Sequence, residues 1–258
     1  MAPRAAAALG GGTMGRPTET TRYFADQKEM FLKDLAPLFA SARKVLPAHV
    51  KADDVPGILE ETRQGFGHLL VELPDLGGDR NLFNSSIIAS VAALAFIRAL
   101  EARGVPSDRI HDGLYGIYLD AYSSLPRYLK AALRWYEFSG MHLRKLEAFA
   151  RWTQERTCPK NYVVEFVSGD GIDFDFGFDV SDCAVLNFYR RMQAEKHLPY
   201  VCIGDFAASS ALGTGLRRTT TLSNGAVQCD FRYRRNRESL PGLPLEDLPE
   251  YKNRRAAG

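Results

Sequence analysis

The feature of this sequence that most constrains its fold is a change of hydrophobic periodicity after Arg156. Up to that residue, apolar side chains recur mostly at helical spacing, and the most apolar stretch, Ile87–Ala102, predicts the central helix of a bundle. Beyond it, Tyr162–Val167 and Ile172–Val180 are rich in β-branched and aromatic residues, which predicts a β-hairpin. The sequence therefore predicts an α+β protein in which an N-terminal helical bundle packs on a C-terminal antiparallel sheet with helices.

The same change of pattern divides the chain into four regions. The sequence predicts a disordered tail over residues 1–19, a helical region over 20–157, an α+β region over 158–236 and a mobile tail over 237–258. Both tails are assigned from composition, because the first is rich in Ala and Gly and the last in Pro, Glu, Arg and Asn. The two middle regions are expected to supply the core.

A second hairpin is predicted near the end of the α+β region. Asn224-Gly225 lies between two runs of strand-forming residues, Arg217–Leu222 and Ala226–Tyr233, and both turn residues tolerate positive φ. Just upstream, Asp205 is expected to cap a short helix, with Cys202 at the end of a strand before it. The hairpin would bring polar and sulfur-containing side chains onto neighbouring strands.

The charge balance gives no reason to expect a polyanionic partner. The chain has 33 Lys and Arg against 31 Asp and Glu, so neither nucleic acid nor an anionic membrane surface is expected. The longest apolar run, Ile87–Ile97, is about half of the ~20 residues that a membrane-spanning helix needs. The expected partner is a small-molecule substrate, and a homo-oligomer is compatible with the sequence.

Cysteine usage favours a reduced compartment. The four cysteines show no close paired spacing, which indicates a cytoplasmic protein rather than a disulfide-stapled secreted one. The first fifteen residues are too weakly apolar for a secretory leader.

Cys183 is the first candidate for chemistry. If Ser181 caps a helix from Asp182 to about Lys196, Cys183 lies in its first turn, where unpaired N–H groups and the positive helix end favour a thiolate. A buried cysteine that only fills space is an equally good interpretation. The prediction of Cys183 as the nucleophile therefore depends on the helix N-terminus alone.

Two further cysteines have an aspartate close in sequence. Asp205, three residues after Cys202, either caps its helix, which is the simpler interpretation, or acts as a general base. Cys229 and Asp230 are consecutive on a predicted strand and so face opposite sides of the sheet. Cys202, Asp205 and Cys229 join Cys183 as candidate catalytic residues.

Side chains of the predicted hairpin are candidates for substrate binding. Arg218 could hold a substrate carboxylate through its two-donor guanidinium, and Thr220 faces the same side of the strand. A cross-strand ion pair of Asp230 with Arg217 or Arg232 is the plainer interpretation of those charges. The candidate substrate-binding residues are Arg218, Thr220, Asp230 and Arg232.

Metal and histidine sites receive less support. The cysteines show no C-x-x-C spacing and the histidines no H-x-x-x-H spacing, so neither a metal nor another cofactor is predicted. His111 and His142 lie on predicted helices as interfacial or surface residues, although a helical His could face the sheet and act as a base. Glu137 and Tyr136 are open to the same interpretation.

Four short motifs occur in order along the second half of the chain. They are Asp182-Cys183, Cys202-x-x-Asp-Phe206, Arg218-Thr-x-Thr-Leu-x-x-Gly225 and Cys229-Asp-Phe-Arg232. Together they resemble the L-2-amino-thiazoline-4-carboxylic acid hydrolase family, most clearly over Asn161–Arg235.

The resemblance implies a hydrolase that opens a small heterocycle at a C–N bond, in a cyclic amidine or ring amide that carries a carboxylate. In that scheme a cysteine attacks the ring carbon, an aspartate handles the proton and Arg218 holds the carboxylate. In a variant, Asp205 activates water directly. Three alternatives stay open: a non-catalytic small-ligand-binding protein, a metalloenzyme using thiolates, and a biosynthetic enzyme of the same scaffold that catalyses an elimination or a ring rearrangement.

Overall fold

The apolar stretch predicted as the central helix forms helix α5, Asn84–Glu101. In the computed structural model, which describes residues 19–239 and 245–252, most of its side chains are buried. Within that part of the chain it is the single helix whose length and composition would allow a membrane crossing, and 67% of the stretch is buried inside the protein. The core helix of a globular protein has the same properties, since neighbouring elements cover it on most sides.

Helices account for most of the chain up to Gln154. Helix α5 packs on α4 and α6, and α6 packs in turn on α3. The helices of this region are α1 (Glu19–Asp26), α2 (Lys28–Asp34), α3 (Ala36–Val45), α4 (Val55–Leu70), α5, α6 (Ser107–Ser123), α7 (Arg127–Glu137) and α8 (Gly140–Gln154).

A three-stranded antiparallel sheet follows, in the order β1 (Val163–Ser168), β2 (Phe176–Asp182) and β3 (Cys229–Tyr233). The centre of the sheet pairs Phe166 with Phe178 and Phe178 with Phe231. Helix α8 packs against β1, so one face of the sheet is covered by the helical region. The predicted α+β class is confirmed.

The predicted second hairpin is not formed as two full strands. Arg217 forms an isolated β-bridge with β3, through two hydrogen bonds of 2.8 and 2.9 Å with the backbone of Arg232, and beyond it only a 3.4 Å backbone hydrogen bond from the Asp230 N–H to the Thr220 carbonyl joins the described segment 217–222 to β3. The reason is the Asp230 carboxylate, which accepts the backbone N–H groups of Thr219 and Thr220 at 2.7 and 2.6 Å. Those donors are therefore lost to the sheet, and the Asn-Gly turn closes a short 3₁₀ helix over Leu222–Asn224.

Three helices connect β2 to the last strand: α9 (Ala184–Arg191), α10 (Leu198–Cys202) and α11 (Gly204–Leu212). Ser181 belongs to β2 and does not cap a helix, because the strand continues through Asp182 and the N-cap position of α9 is Cys183. Helix α9 ends at Arg191 and does not continue to Lys196. Gln193, two residues after its end, adopts a positive φ of 54°.

Cys202 lies on a helix and not on a strand, as the last residue of α10. Asp205 does not cap α11, because the helix begins at Gly204 with Ile203 at the N-cap position, which places Asp205 inside the first turn. Its carboxylate binds Arg218 from there.

The two predicted tails differ in how much of each the structure describes. Residues 1–18, 240–244 and 253–258 lie outside the described residues, and the predicted N-terminal tail falls almost wholly among them. Leu245–Lys252, by contrast, packs on the protein: it includes helix α12 (Pro249–Lys252), and Leu245 and Leu248 are buried against Ile203 and Phe206. The mobility expected for residues 237–258 stays a prediction.

Candidate active site

A cavity of about 410 Å³ lies between the helical region and the sheet. It is bordered by the start of α5, the turn between α7 and α8, the inner face of the sheet and the first turn of α11. Its walls are largely apolar and include Phe83, Leu146, Phe178, Val180 and Phe231. Volume and lining are typical of a site for a small organic molecule.

Five of the eight predicted site residues line this cavity. They are Cys183, Cys202, Asp205, Arg218 and Cys229. They come from the end of β2, from α10 and α11, from the segment after α11 and from β3, so only the folded chain brings them together. The other three, Thr220, Asp230 and Arg232, are not among the lining residues.

These three residues hold the sheet edge together. Both oxygens of the Asp230 carboxylate accept hydrogen bonds from Thr219 and Thr220, including one of 3.0 Å from the Thr220 hydroxyl. Arg232 forms an ion pair of 2.6 Å with Asp179 on β2. The geometry therefore gives these side chains structural partners within the protein rather than contact with the cavity.

Arg218 is a charged side chain of the site that is almost completely buried, with 1% of its surface exposed. Its Nε donates to Glu250 at 2.8 Å, its Nη1 to Asp205 at 3.0 Å and its Nη2 to the Cys202 carbonyl at 3.3 Å. The guanidinium also lies between the rings of Phe206 and Phe231, 5.0 and 5.1 Å from their centroids. Its charge is thus already matched by two carboxyl groups.

Glu250 is a residue of this network that the sequence did not single out. Its side chain is fully buried, and it reaches Arg218 from helix α12, a segment with ordinary tail composition. Burial by itself would lower the pKa of Arg218, but the attraction of Glu250 and Asp205 is larger and raises the pKa above its ordinary value. The guanidinium therefore stays charged. No spacing rule connects Glu250 with a residue 32 positions earlier.

Asp205 is the carboxyl group of this network that reaches the cavity. Its side chain is 43% exposed and lines the cavity, while Oδ2 is held by Arg218. Among the described residues Oδ1 has no hydrogen-bond partner. Desolvation raises the pKa of Asp205 even though Arg218 opposes the shift. A positioned carboxyl with a raised pKa can exchange a proton with a ligand in the cavity.

The three thiols of the cavity are poor thiolates. Burial raises the pKa of Cys183 to about 12, although the N–H groups of Leu186 and Val185 at the start of α9 act in the other direction. Burial likewise raises the pKa of Cys202 and of Cys229, with Arg218 opposing both shifts. The helix N-terminus that favoured Cys183 as an activated sulfur is real, but desolvation outweighs it.

This electrostatic environment predicts slow alkylation of the cavity thiols. With its pKa at about 12, Cys183 has a thiolate fraction at neutral pH lower by more than about 10³-fold than that of an unperturbed cysteine. We expect iodoacetamide to label Cys183, Cys202 and Cys229 far more slowly in the folded protein than in urea, with a steep rise above pH 9. Peptide mapping by mass spectrometry measures each site, and equally fast labelling in buffer and in urea at pH 7 would contradict the prediction.

A second group of polar side chains comes from α7, α8 and the sheet. Glu137, His142, Tyr162 and Tyr233 all line the cavity. The hydroxyl of Tyr162 and Nδ1 of His142 are buried without any hydrogen-bond partner in the described structure. The sequence had left Glu137 and His142 open as residues that could face the sheet, whereas nothing in it indicated Tyr162 or Tyr233.

The remaining predicted histidine is elsewhere. His111 is buried, stacks on Tyr200 and lies 3.1 Å from Nδ1 of His197, which in turn is 3.1 Å from Glu101. Neither histidine lines the cavity. Among the described residues, no three His, Cys, Asp or Glu side chains are arranged to hold a metal ion.

Comparison with known proteins gives one match. The family model described as L-2-amino-thiazoline-4-carboxylic acid hydrolase matches residues 122–233. That segment contains most of the cavity lining, from Tyr136 to Tyr233, but not the lining residues at the start of α5, Leu82, Phe83, Ser85 and Ser86, and not Glu250. No curated protein and no solved structure matches the chain.

Proposed function

Because residues 122–233 match the model of the L-2-amino-thiazoline-4-carboxylic acid hydrolase family, we propose that this chain is a hydrolase that opens a small heterocycle at a C–N bond. The reaction class comes from the family match, and the cavity is large enough to bind a small heterocyclic substrate. The observation that carries the proposal is Asp205, a carboxyl group with a raised pKa that faces the cavity while Arg218 fixes its position.

In the mechanism that fits these groups best, Asp205 acts as a general base on water. The Asp205 carboxylate takes one proton from a water molecule, and the water oxygen forms a bond to the electrophilic ring carbon. The C–N bond of the ring then breaks, and the departing nitrogen receives the proton from Asp205. The Asp205 carboxylate is regenerated, and the ring-opened product has the composition of the substrate plus one water molecule.

A covalent route through a cysteine is the second candidate. It has support from the position of three thiols in the same cavity, but each thiol has a raised pKa and would need to lose its proton to Asp205 during attack. The direct attack of water needs no such transfer from sulfur. We therefore assign the thiols to the cavity wall and the proton transfer to Asp205.

The test is a turnover assay on cyclic amidines and ring amides in oxygen-18 water. We expect a product heavier than its substrate by one labelled water, as ring opening requires. A product of unchanged mass would indicate a rearrangement, and loss of a fragment would indicate an elimination. Tight binding of ring compounds without any product would indicate a binding protein, and each of these results would overturn the hydrolase assignment.

The free state of the cysteines is consistent with a reducing compartment. The four cysteines are unpaired in the structure, and such thiols persist where disulfides are kept reduced. A cytoplasmic location is part of the proposal on this ground.

A further inference from the structure

Among the described residues that line the cavity, none offers a free cation to an anionic ligand. Arg218 is the single Arg or Lys in this lining, and two carboxyl groups and a carbonyl already accept hydrogen bonds from its guanidinium. The other basic group is His142, whose pKa is lowered by burial and by Lys145, so its ring is neutral at pH 7. A substrate carboxylate that entered this site would meet the carboxyl groups of the protein and no unpaired positive charge in the described lining.

Glu137 adds a carboxyl group without a partner. It is the last residue of α7 and lines the cavity, and among the described residues it makes neither a hydrogen bond nor an ion pair. The nearby Arg235 donates to the Phe138 carbonyl at 3.3 Å instead of to Glu137. Burial raises the pKa of Glu137, because no positive group among the described residues offsets the desolvation of its carboxylate, and a bound cation would supply that missing charge.

Unused polar atoms surround the same space. Tyr162 is 5% exposed and has a buried hydroxyl with no partner, and Nδ1 of His142 is likewise unpartnered. Buried polar atoms are normally satisfied, so these two unpartnered atoms of cavity-lining residues are available to a polar ligand. With Glu137 and Asp205 they form two carboxyl groups and two neutral polar groups on an otherwise apolar wall.

We infer that Glu137 binds the positively charged amidinium group of the substrate, and that this substrate has an apolar or aromatic body in place of a carboxylate. Glu137 is the specificity-determining residue in this assignment, and Asp205 acts on the ring carbon. The inference rests on the proposed function for the reaction and adds the class of compound. It differs from the expectation that Arg218 anchors a carboxylate, because that guanidinium is already neutralised within the protein.

The shape of the cavity agrees with an aromatic body. Phe83, Phe178 and Phe231 form a continuous aromatic wall, with ring centroids 5.3 Å apart for the first two and 4.7 Å apart for the last two. A volume of about 410 Å³ leaves room for more than a bare five-membered ring. A flat cation can stack on this wall while its amidinium reaches a carboxyl group.

Three compounds of one shape test the charge preference: benzamidine, benzamide and benzoate, which are cationic, neutral and anionic. Calorimetry at neutral pH should show benzamidine binding at least tenfold more tightly than benzamide, with benzoate the weakest. In Glu137→Gln the affinity for benzamidine should fall by about tenfold or more, since a charged hydrogen bond is lost, while that for benzamide changes little.

The matched control is Glu155→Gln. Glu155 also stands at the end of a helix, as the C-cap of α8, but it is exposed and does not line the cavity. This variant should bind all three compounds as the parent does. A second variant, Glu137→Asp, keeps the charge one methylene further back and should retain a weakened preference for benzamidine.

The inference is overturned if benzoate binds as tightly as benzamidine, if Glu137→Gln keeps the full preference, or if none of the three compounds binds. None of these compounds is a heterocycle, so the result does not depend on catalysis. A protein that hydrolyses ring compounds but shows no cation preference would retain the proposed function and lose this inference. A protein that prefers benzamidine but converts no ring compound would retain this inference and lose the proposed function.

Discussion

Replacing Arg218 by Met should lower the free energy of unfolding by about 3–5 kcal/mol at neutral pH, which is the cost typical of breaking a buried ion pair from one side. The substitution keeps much of the apolar contact with Phe206 and Phe231 but leaves Glu250 buried beside no cation. Urea denaturation with an unchanged slope would report the loss.

The pH dependence of this variant has a definite sign. Without Arg218 the pKa of Glu250, already raised by burial, rises further, so the carboxyl group binds a proton more readily in the folded state. The difference in stability from the parent should therefore shrink as the pH falls below neutrality. Adding Glu250→Gln to Arg218→Met should recover part of the loss at neutral pH, because the buried carboxylate is then absent.

Arg217→Met is the matched control, since Arg217 is the preceding residue and is exposed. A surface substitution of this kind should change the stability by less than about 0.5 kcal/mol. If Arg218→Met cost no more than Arg217→Met, the assignment of Arg218 as the centre of a buried ion network would be incorrect.

Replacing Asp205 by Asn should reduce kcat/KM for ring opening by about 10² to 10⁴-fold, as expected for the loss of a general base. The amide oxygen can still accept the hydrogen bond from Arg218, and Glu250 still balances its charge, so the fold should be retained. Steady-state kinetics on a compound that the parent hydrolyses, with circular dichroism of both proteins, separates the two effects.

The parent enzyme should also show the ionisation of Asp205 in its pH profile. A general base must be deprotonated, and desolvation raises its pKa, so the rate should rise with pH through a value above the ordinary range of an aspartate and then level off. In Asp205→Asn this acidic limb should disappear.

Asp108→Asn provides the comparison, because Asp108 also lies in the first turn of a helix, α6, but is exposed and outside the cavity. It should leave kcat/KM and the profile unchanged. Full activity of Asp205→Asn with the parental profile would remove Asp205 from the mechanism and return the proton transfer to another group.

Local chemistry in the sequence was sufficient to select five residues that line one cavity. The short ordered motifs that contain Cys183, Cys202, Asp205, Arg218 and Cys229 lie within residues 122–233, which the family model matches. Their common cavity follows from the order of strands and helices between Cys183 and Cys229. The same reasoning assigned Thr220 and Arg232 to substrate binding. In the structure the Thr220 hydroxyl donates to Asp230, and Arg232 pairs with Asp179.

The sequence by itself determined the α+β class, the central apolar helix and the change from helical to strand spacing after Arg156, because hydrophobic periodicity is a local property of the chain. Only the tertiary structure decided which charges meet and which thiols are buried. Glu250 reaches Arg218 from 32 residues away, and Glu137 reaches the cavity without a partner. Desolvation and ion pairing depend on distances between residues from separate elements, which no local pattern contains.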